Sequence, residues 1–544
     1  MIAESKIHAL HKHMLVFALL ATLIVSLCFA SVLSDISSFT SGAPNQLVVS
    51  NEAELLNAIN TSIGSTSIAL NKDITLSEAL VIPINKSITL TSKSNVKFYK
   101  LLGANNTSTI FVDSDSVLEL DGIIVTHVNG VVGCGVIVAR GGTLVLFSGE
   151  ISGNTGGGYG FFGFGYSNGG GVYVGDGGCF VMSGGRICDN IASRGGGVFN
   201  GVGATFTLEG GVVYGNGAIN SGGGVYNEWC GDFQMLGGEI SGNTAISGGG
   251  VYNCGGGGIR DDSTGYTGCF SLFGGVISGN VVVNDGGGVG NYGVFVMSGG
   301  VIAGNTADRA GGGVHNGNTL TIADFQMLGG EISGNVAAKG GGVYHFFGNR
   351  FSLSDGMIVN NEAEIGGGVC IDSDFVMSGG EISGNTANSN GGGVYVGNGV
   401  FKLLGGKISK NTATYNGGGI WVDTEKLDLL FVSNAAVFSN NLASVAYERA
   451  STHNDVYRSQ IGGKVTWTRP FTQGYNNYDI SYTSGSQIIV TADESSDTDD
   501  ELSTDNRTSG IPGYIVFAVL SLVLAMSIVG SVFLYFKKKN IKQK

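Results

Sequence analysis

Between residues 148 and 441 apolar and polar positions alternate in runs of three or four, and glycines interrupt every run. The clearest copy reads Asp374-Phe-Val-Met-Ser-Gly-Gly-Glu-Ile-Ser-Gly-Asn385-Thr-Ala, followed by Gly391-Gly-Gly-Val-Tyr-Val396. Runs such as Phe375-Val-Met377, Glu381-Ile-Ser383 and Val394-Tyr-Val396 have the period of a β-strand but are too short to form a sheet alone. The glycine pairs and triplets between them permit sharp bends. The asparagine closing the first half recurs at Asn154, Asn190, Asn216, Asn243, Asn280, Asn305, Asn335, Asn361, Asn385, Asn411 and Asn441. Most steps are 24 to 27 residues, lengthening to 36 and 37 after Asn154 and Asn243, where loops are inserted. Short strand, bend, short strand, bend is one coil of a solenoid, and stacked coils pair each strand with its counterparts above and below.

The pattern predicts an all-β chain, a right-handed parallel β-helix. The valine after each glycine triplet, the Phe and Met (or Leu) pair and the isoleucine before Ser-Gly-Asn should point inward. The asparagines should stack as a ladder, and the whole should form a rod roughly 70 Å long at ~4.8 Å per coil. Asn51-Glu-Ala-Glu-Leu-Leu-Asn-Ala-Ile59 is the one helix-like stretch, with Leu55, Leu56 and Ile59 on one face, and suits an N-terminal cap. Residues 31–140 thus read as cap and first coils, 141–441 as the repeats, and 442–490 as C-terminal coils and cap.

The ends place the chain. Lys6, Lys12 and three histidines precede an apolar run from Met14 to Phe29 ending in Ala30-Ser31. This reads as a signal peptide over 1–30, the alternative being an uncleaved anchor. Residues 491–510 are acidic and Ser/Thr-rich, a disordered stalk. An uncharged run from Tyr514 to Phe536 lies within a transmembrane helix over 511–536, and a lysine tail at 537–544 follows. That order puts the bulk of the protein outside a single membrane span. The predicted location is the cell surface.

Composition agrees. Glycine supplies 96 residues and proline 4, yet 42% of the chain is hydrophobic, so this is neither collagen nor a disordered linker. Setting aside the lysines and glutamate of 1–30 and the lysines of 537–544 leaves 21 basic against 41 acidic residues. An exterior so acidic disfavours nucleic acid as a partner. Seven cysteines follow the signal, with Cys254–Cys269 and Cys179–Cys188 the plausible pairs, and no Cys-x-x-Cys motif suggests zinc.

Asn385-Thr-Ala followed by Gly391-Gly-Gly-Val-Tyr395, with Val437-Phe-Ser-Asn440, resembles the Phe-x-x-Asn and Gly-Gly-Ala-Ile/Val-Tyr repeat of the polymorphic outer-membrane proteins. The chain is also similar to β-helix adhesin-like surface proteins of archaea and gut bacteria. The likeness covers about 300 residues and implies a pectate-lyase-type β-helix with a role in adhesion. It departs from the outer-membrane group in having no C-terminal barrel pattern. Pro512-Gly513-Tyr514 is similar to archaeal Pro-Gly-Phe sorting signals, which would exchange the tail for a lipid.

Candidate chemistry is sparse. Asp113 with Asp115, Asp261 with Asp262 and Asp372 with Asp374 are the carboxylate pairs a polysaccharide lyase could use for calcium, but none recurs beside a matching base. They read as turn formers. His127, His315, His345 and His453 show no metal spacing. No catalytic residue, metal or cofactor is predicted.

The sharper feature is aromatic. The residue after the turn valine is Tyr173, Phe199, Tyr226, Tyr252, Tyr344, Tyr395 or Trp421, interrupted by Gly290, His315 and Cys370. Alternation turns these rings outward, as an exposed stripe suited to the flat faces of sugars. A ladder that merely stabilises the coils is the competing reading. The ring-rich insert Gly156–Asn168 is a second candidate surface, and Asn60, Asn85, Asn105, Asn106 and Asn506 lie in glycosylation sequons. The resulting expectation is a non-enzymatic adhesin binding glycans or neighbouring cell surfaces. A surface-anchored lyase or hydrolase and a structural envelope component are the alternatives.

Overall fold

A computed structural model describes residues 46–448 except 95, 157–167, 257–266, 320–322 and 347, together with 467, 475–481 and 488–489. The signal peptide, stalk, transmembrane helix and lysine tail of the sequence reading lie outside the described residues, as do Asp261, Asp262 and His453. Among the described residues no helix is long and apolar enough to cross a membrane.

The described chain is a parallel β-solenoid with three faces. Each coil in the repeats starts on one face with a three-residue strand such as Val172–Val174, which belongs to a sheet of 13 strands. It then bends onto a longer face carrying two segments, such as Cys179–Met182 and Arg186–Cys188, within a sheet of 27 strands. A short strand such as Ile191–Arg194 completes the coil in a sheet of 10 strands. Pairing is parallel and in register, so like residues stack: Val172 on Val198, Phe180 on Phe206, Ile187 on Val213.

The core follows the period-two pattern. The turn valines, the Phe and Met or Leu pairs and the isoleucines are buried in one continuous cluster. Nine phenylalanines from Phe180 to Phe401 stack face to face, with successive centroids 4.4 to 4.9 Å apart. That is the strand spacing of a sheet, so the register that pairs the backbone also stacks the rings.

The expected asparagine ladder is present and buried. Each side chain from Asn154 to Asn411 donates Nδ2–H to Oδ1 of the next asparagine at 2.9 to 3.1 Å. The backbone N–H of each donates to the same oxygen, and Nδ2 of Asn335 also donates to the Ile302 carbonyl. The ladder therefore satisfies the backbone at a bend that strand pairing leaves open. His127 fills its acceptor end, Nδ1 lying 2.8 Å from Asn154 Oδ1. At the donor end Asn441 Nδ2 donates to buried Asp479 Oδ1 at 2.9 Å.

The helix forms over Glu52–Thr61, with Asn51 as N-cap accepting from the Glu54 N–H. Leu55, Ala58 and Ile59 enter the solenoid core, as i, i+3, i+4 spacing requires. Leu56, expected on that face, is instead exposed, because Ala58 lies nearer the buried arc. At the other end residues 475–481 close the stack: Gly418, Gly419 and Ile420 donate backbone N–H groups to Asn477, Tyr478 and Asp479.

Neither expected disulfide forms. Cys254 and Cys269 carry free thiols that face different neighbours, Cys254 beside Tyr226 and Glu228, Cys269 beside Asp232. Cys188 is a buried free thiol on a different segment of its face from Cys179. Cys179 pairs with Thr143 and Cys188 with Ser152, the two ends of one strand Thr143–Ser152, which sets them far beyond the ~7 Å Cα limit for a bridge.

Candidate functional site

The aromatic positions occupy the middle of the three-residue strands on the 13-stranded face, so backbone alternation does turn them away from the core. Tyr173, Phe199, Tyr226 and Tyr252 stack with centroids 5.0 to 5.2 Å apart and planes within 6°. Tyr395 and Trp421 form a second stack at 4.3 Å. The stripe is less open than expected. Tyr173, Tyr252, Tyr395 and Trp421 are half-buried, but Phe199, Tyr226 and Tyr344 are buried. Each ring is covered by its neighbours in the stack, and the Arg194 guanidinium lies over Tyr226 at 5.5 Å.

The interruption at Gly290 changes the column. With no ring at 290, Tyr292 folds in two residues later and stacks on Tyr252 at 4.7 Å, tilted by 35°. The column continues through His315, 5.7 Å from Tyr292, to Tyr344, 5.3 Å further, with tilts of 43° and 37°. Tyr292 was not singled out by the repeat because it lies out of phase with it; Gly290 was the available signal.

Where the rings splay, a cleft of about 430 Å³ opens, lined by Tyr292, His315, Tyr344 and Phe346 with Asp285, Asp308, Arg309 and Lys339. Arg309 and Lys339 come from consecutive strands of the 10-stranded face, and the glycine triplets turn the chain from there onto the ring-bearing face. Arg309 pairs with Asp285 at 3.8 Å. Tyr344 donates its hydroxyl to Asp372 Oδ2 at 2.7 Å, which fixes the ring and gives Asp372 a structural partner.

His315 is 5% exposed and its Nδ1 has no hydrogen-bond partner. Burial, helped by the Arg309 charge, pushes its pKa down to about 3, so the ring is neutral near pH 7. Burial and the bond to Asp372 hold the Tyr344 hydroxyl well above its ordinary value.

The remaining histidines and aspartates have structural places. His345 ends a second, unanticipated ladder, Asn200–Asn227–Asn253–Asn291–Asn316, whose members donate Nδ2–H to the next Oδ1 at 2.7 to 2.8 Å. Asp374 accepts from the Val400 N–H, and Asp113 from Ser114, as turn formers do. Among the described residues no group of three or more His, Cys, Asp and Glu side chains could hold a metal. The class these features define is a parallel β-solenoid with an external ring column. No protein-family model, no curated protein and no solved structure matches the chain.

Proposed function

We propose that the chain is a membrane-anchored cell-surface protein, a right-handed parallel β-helix of the adhesin-like kind, that holds glycans or neighbouring cell surfaces. The observation carrying this reading is the ring column, whose half-buried members Tyr173, Tyr252, Tyr395 and Trp421 offer aromatic area at several coils of one face. Each such contact is weak, and repetition along a stack gains through multivalency. The signal-like start and the apolar run before the lysine tail supply export and anchoring.

A surface-anchored lyase is the second reading, since His315 and Tyr344 share a cleft with Arg309 and Lys339. Their protonation favours holding over cleaving. A proton-abstracting base works best near the ambient pH, whereas His315 sits near 3 and Tyr344 is displaced upward. The test is retention of vesicles carrying the full chain on immobilised polysaccharides. Replacing Tyr395 and Trp421 together by serine should abolish retention while the thermal unfolding transition persists. Unchanged retention by the double variant sinks the ring-column role, and steady erosion of the immobilised polymer favours the enzyme.

A further inference from the structure

Asn60, Asn85, Asn105, Asn106 and Asn506 begin Asn-x-Ser/Thr sequences, which mark an asparagine whose amide can carry a sugar chain on an exported protein. Asn506 lies outside the described residues. On a folded chain, transfer needs three things together: an exposed asparagine, an uncommitted amide nitrogen and a reachable hydroxyl two residues on. Three of the four described sites fail. Asn60 sits near the end of the helix Glu52–Thr61, and the hydroxyl of its motif belongs to Ser62. That residue is buried, and its Oγ–H donates to the Ile59 carbonyl at 2.6 Å. Asn105 donates Nδ2–H to Glu78 Oε2 at 2.7 Å, so its amide is already held. Asn106 is exposed, but its Oδ1 accepts from the Val132 N–H at 3.2 Å and the hydroxyl of its motif, on Ser108, is buried.

Asn85 meets all three conditions. It stands in the turn joining strands Leu80–Ile82 and Ser87–Ser92, with φ 61°, a left-handed conformation that asparagine tolerates. Its side chain is exposed and makes no hydrogen bond among the described residues. The Ser87 hydroxyl lies at the surface, where it accepts from the Ser65 hydroxyl at 3.2 Å and keeps its own proton to donate. Between the two, Lys86 donates from Nζ to the Ser62 carbonyl at 2.5 Å and so ties the turn to the end of the helix. The ladder asparagines stand at the opposite extreme. They are buried, their Nδ2 groups are donated to the next coil, and none of them begins an Asn-x-Ser/Thr sequence. A glycan on any of them would occupy the nitrogen that joins the coils.

We infer that Asn85 is a site of N-linked glycosylation on the folded chain, its modifying partner an oligosaccharyltransferase that uses a lipid-phosphate-linked oligosaccharide. Asn85 Nδ2 bonds to the anomeric carbon of the sugar, the bond from that carbon to the phosphate oxygen breaks, and an amide proton passes to a base of the transferase. The inference takes export from the reading above, and needs nothing from the glycan-holding role.

The experiment incubates the purified full chain, folded and in detergent, with a solubilised oligosaccharyltransferase and lipid-linked oligosaccharide, and locates modified peptides by mass spectrometry. The chain should gain one oligosaccharide, at Asn85, with Asn60, Asn105 and Asn106 left bare. Ser87→Ala should lose that addition and Ser87→Thr should keep it, each retaining the thermal transition of the parent because the hydroxyl lies at the surface. No addition to the folded chain overturns the inference, as does addition at any of the other three asparagines or addition at Asn85 that persists in Ser87→Ala. Because the donor is supplied, this outcome does not depend on export. Export is read separately, from cleavage of the chain by protease added to intact cells that produce it. Cleavage with a bare Asn85 in the assay removes the site and keeps the location, whereas protection with a modified Asn85 removes the location and keeps the site.

Discussion

At the scale of single residues, His345 shows how the solenoid uses a side chain that the repeat does not contain. Asn316 Nδ2 donates to its Nδ1 at 3.1 Å, and its Nε2 donates to the Asp374 carbonyl at 3.0 Å. Those two neighbours fix the neutral tautomer with the proton on Nε2. Burial holds its pKa down to about 4, the backbone carbonyls opposing only in part. Because the folded value is depressed below the ~6.5 of a free imidazole, the unfolded chain takes up the proton first as pH falls. The stability this group confers is complete above about pH 6.5. It drains away toward pH 4 at up to about 1.4 kcal/mol per pH unit. His345→Asn continues the ladder, since the corresponding asparagines donate to the equivalent carbonyl, as Asn316 does to Arg350. Melting temperatures measured from pH 7 to pH 4 should therefore fall less steeply in His345→Asn than in the parent chain. Equal slopes would show that the imidazole carries no such linkage.

At the scale of elements, the solenoid is a stack whose last coil needs a partner, and residues 475–481 supply it. Asp479 stands where a twelfth asparagine would be and accepts from Asn441 Nδ2, while its backbone pairs with Ile420. Asp479→Ala leaves that buried donor unpaired, at about 1–3 kcal/mol. Hydrogen exchange should accelerate in residues 411–443 and stay unchanged in residues 172–253, which touch only their own neighbours. Uniform acceleration along the chain would contradict a locally coupled stack. Much of this architecture was legible in sequence, because period two sends Phe375, Met377 and Ile382 to one side and the glycine spacing gives the coil length. The first ladder was legible for the same reason, its asparagines recurring in phase. The second ladder carried an equal signal in Val225-Tyr-Asn227 and Val251-Tyr-Asn253, but the aromatic residue between drew the reading. Burial of Phe199, Tyr226 and Tyr344 was not legible. Alternation states which way a side chain leaves the backbone, not what lies over it. Tyr292 shows the same limit, since it enters the column from outside the repeat.

At the scale of the whole solenoid, near-identical coils make stability a sum of nearest-neighbour terms rather than a property of one indivisible core. Deleting residues 216–242 tests this directly. The cut joins Gly215 to Asn243 and brings Asn190 onto Asn243, Asn200 onto Asn253, Phe199 onto Tyr252 and Phe206 onto Phe270, each a like-for-like contact in the register already present. A globular core that lost 27 consecutive strand and turn residues would not be expected to fold. Here the shortened chain should keep a cooperative thermal transition and lose one coil, about 4.8 Å of stack. The ring column loses Tyr226, which is buried between Phe199 and Tyr252, so the half-buried rings offered to a ligand remain the same four. Retention on polysaccharide should accordingly survive the deletion and fail only when Tyr395 and Trp421 are removed. Loss of folding on deletion would mean that the stack is cooperative over its whole length. Loss of retention by a folded deletion variant would mean that the spacing between rings, and not their number, is what the ligand reads.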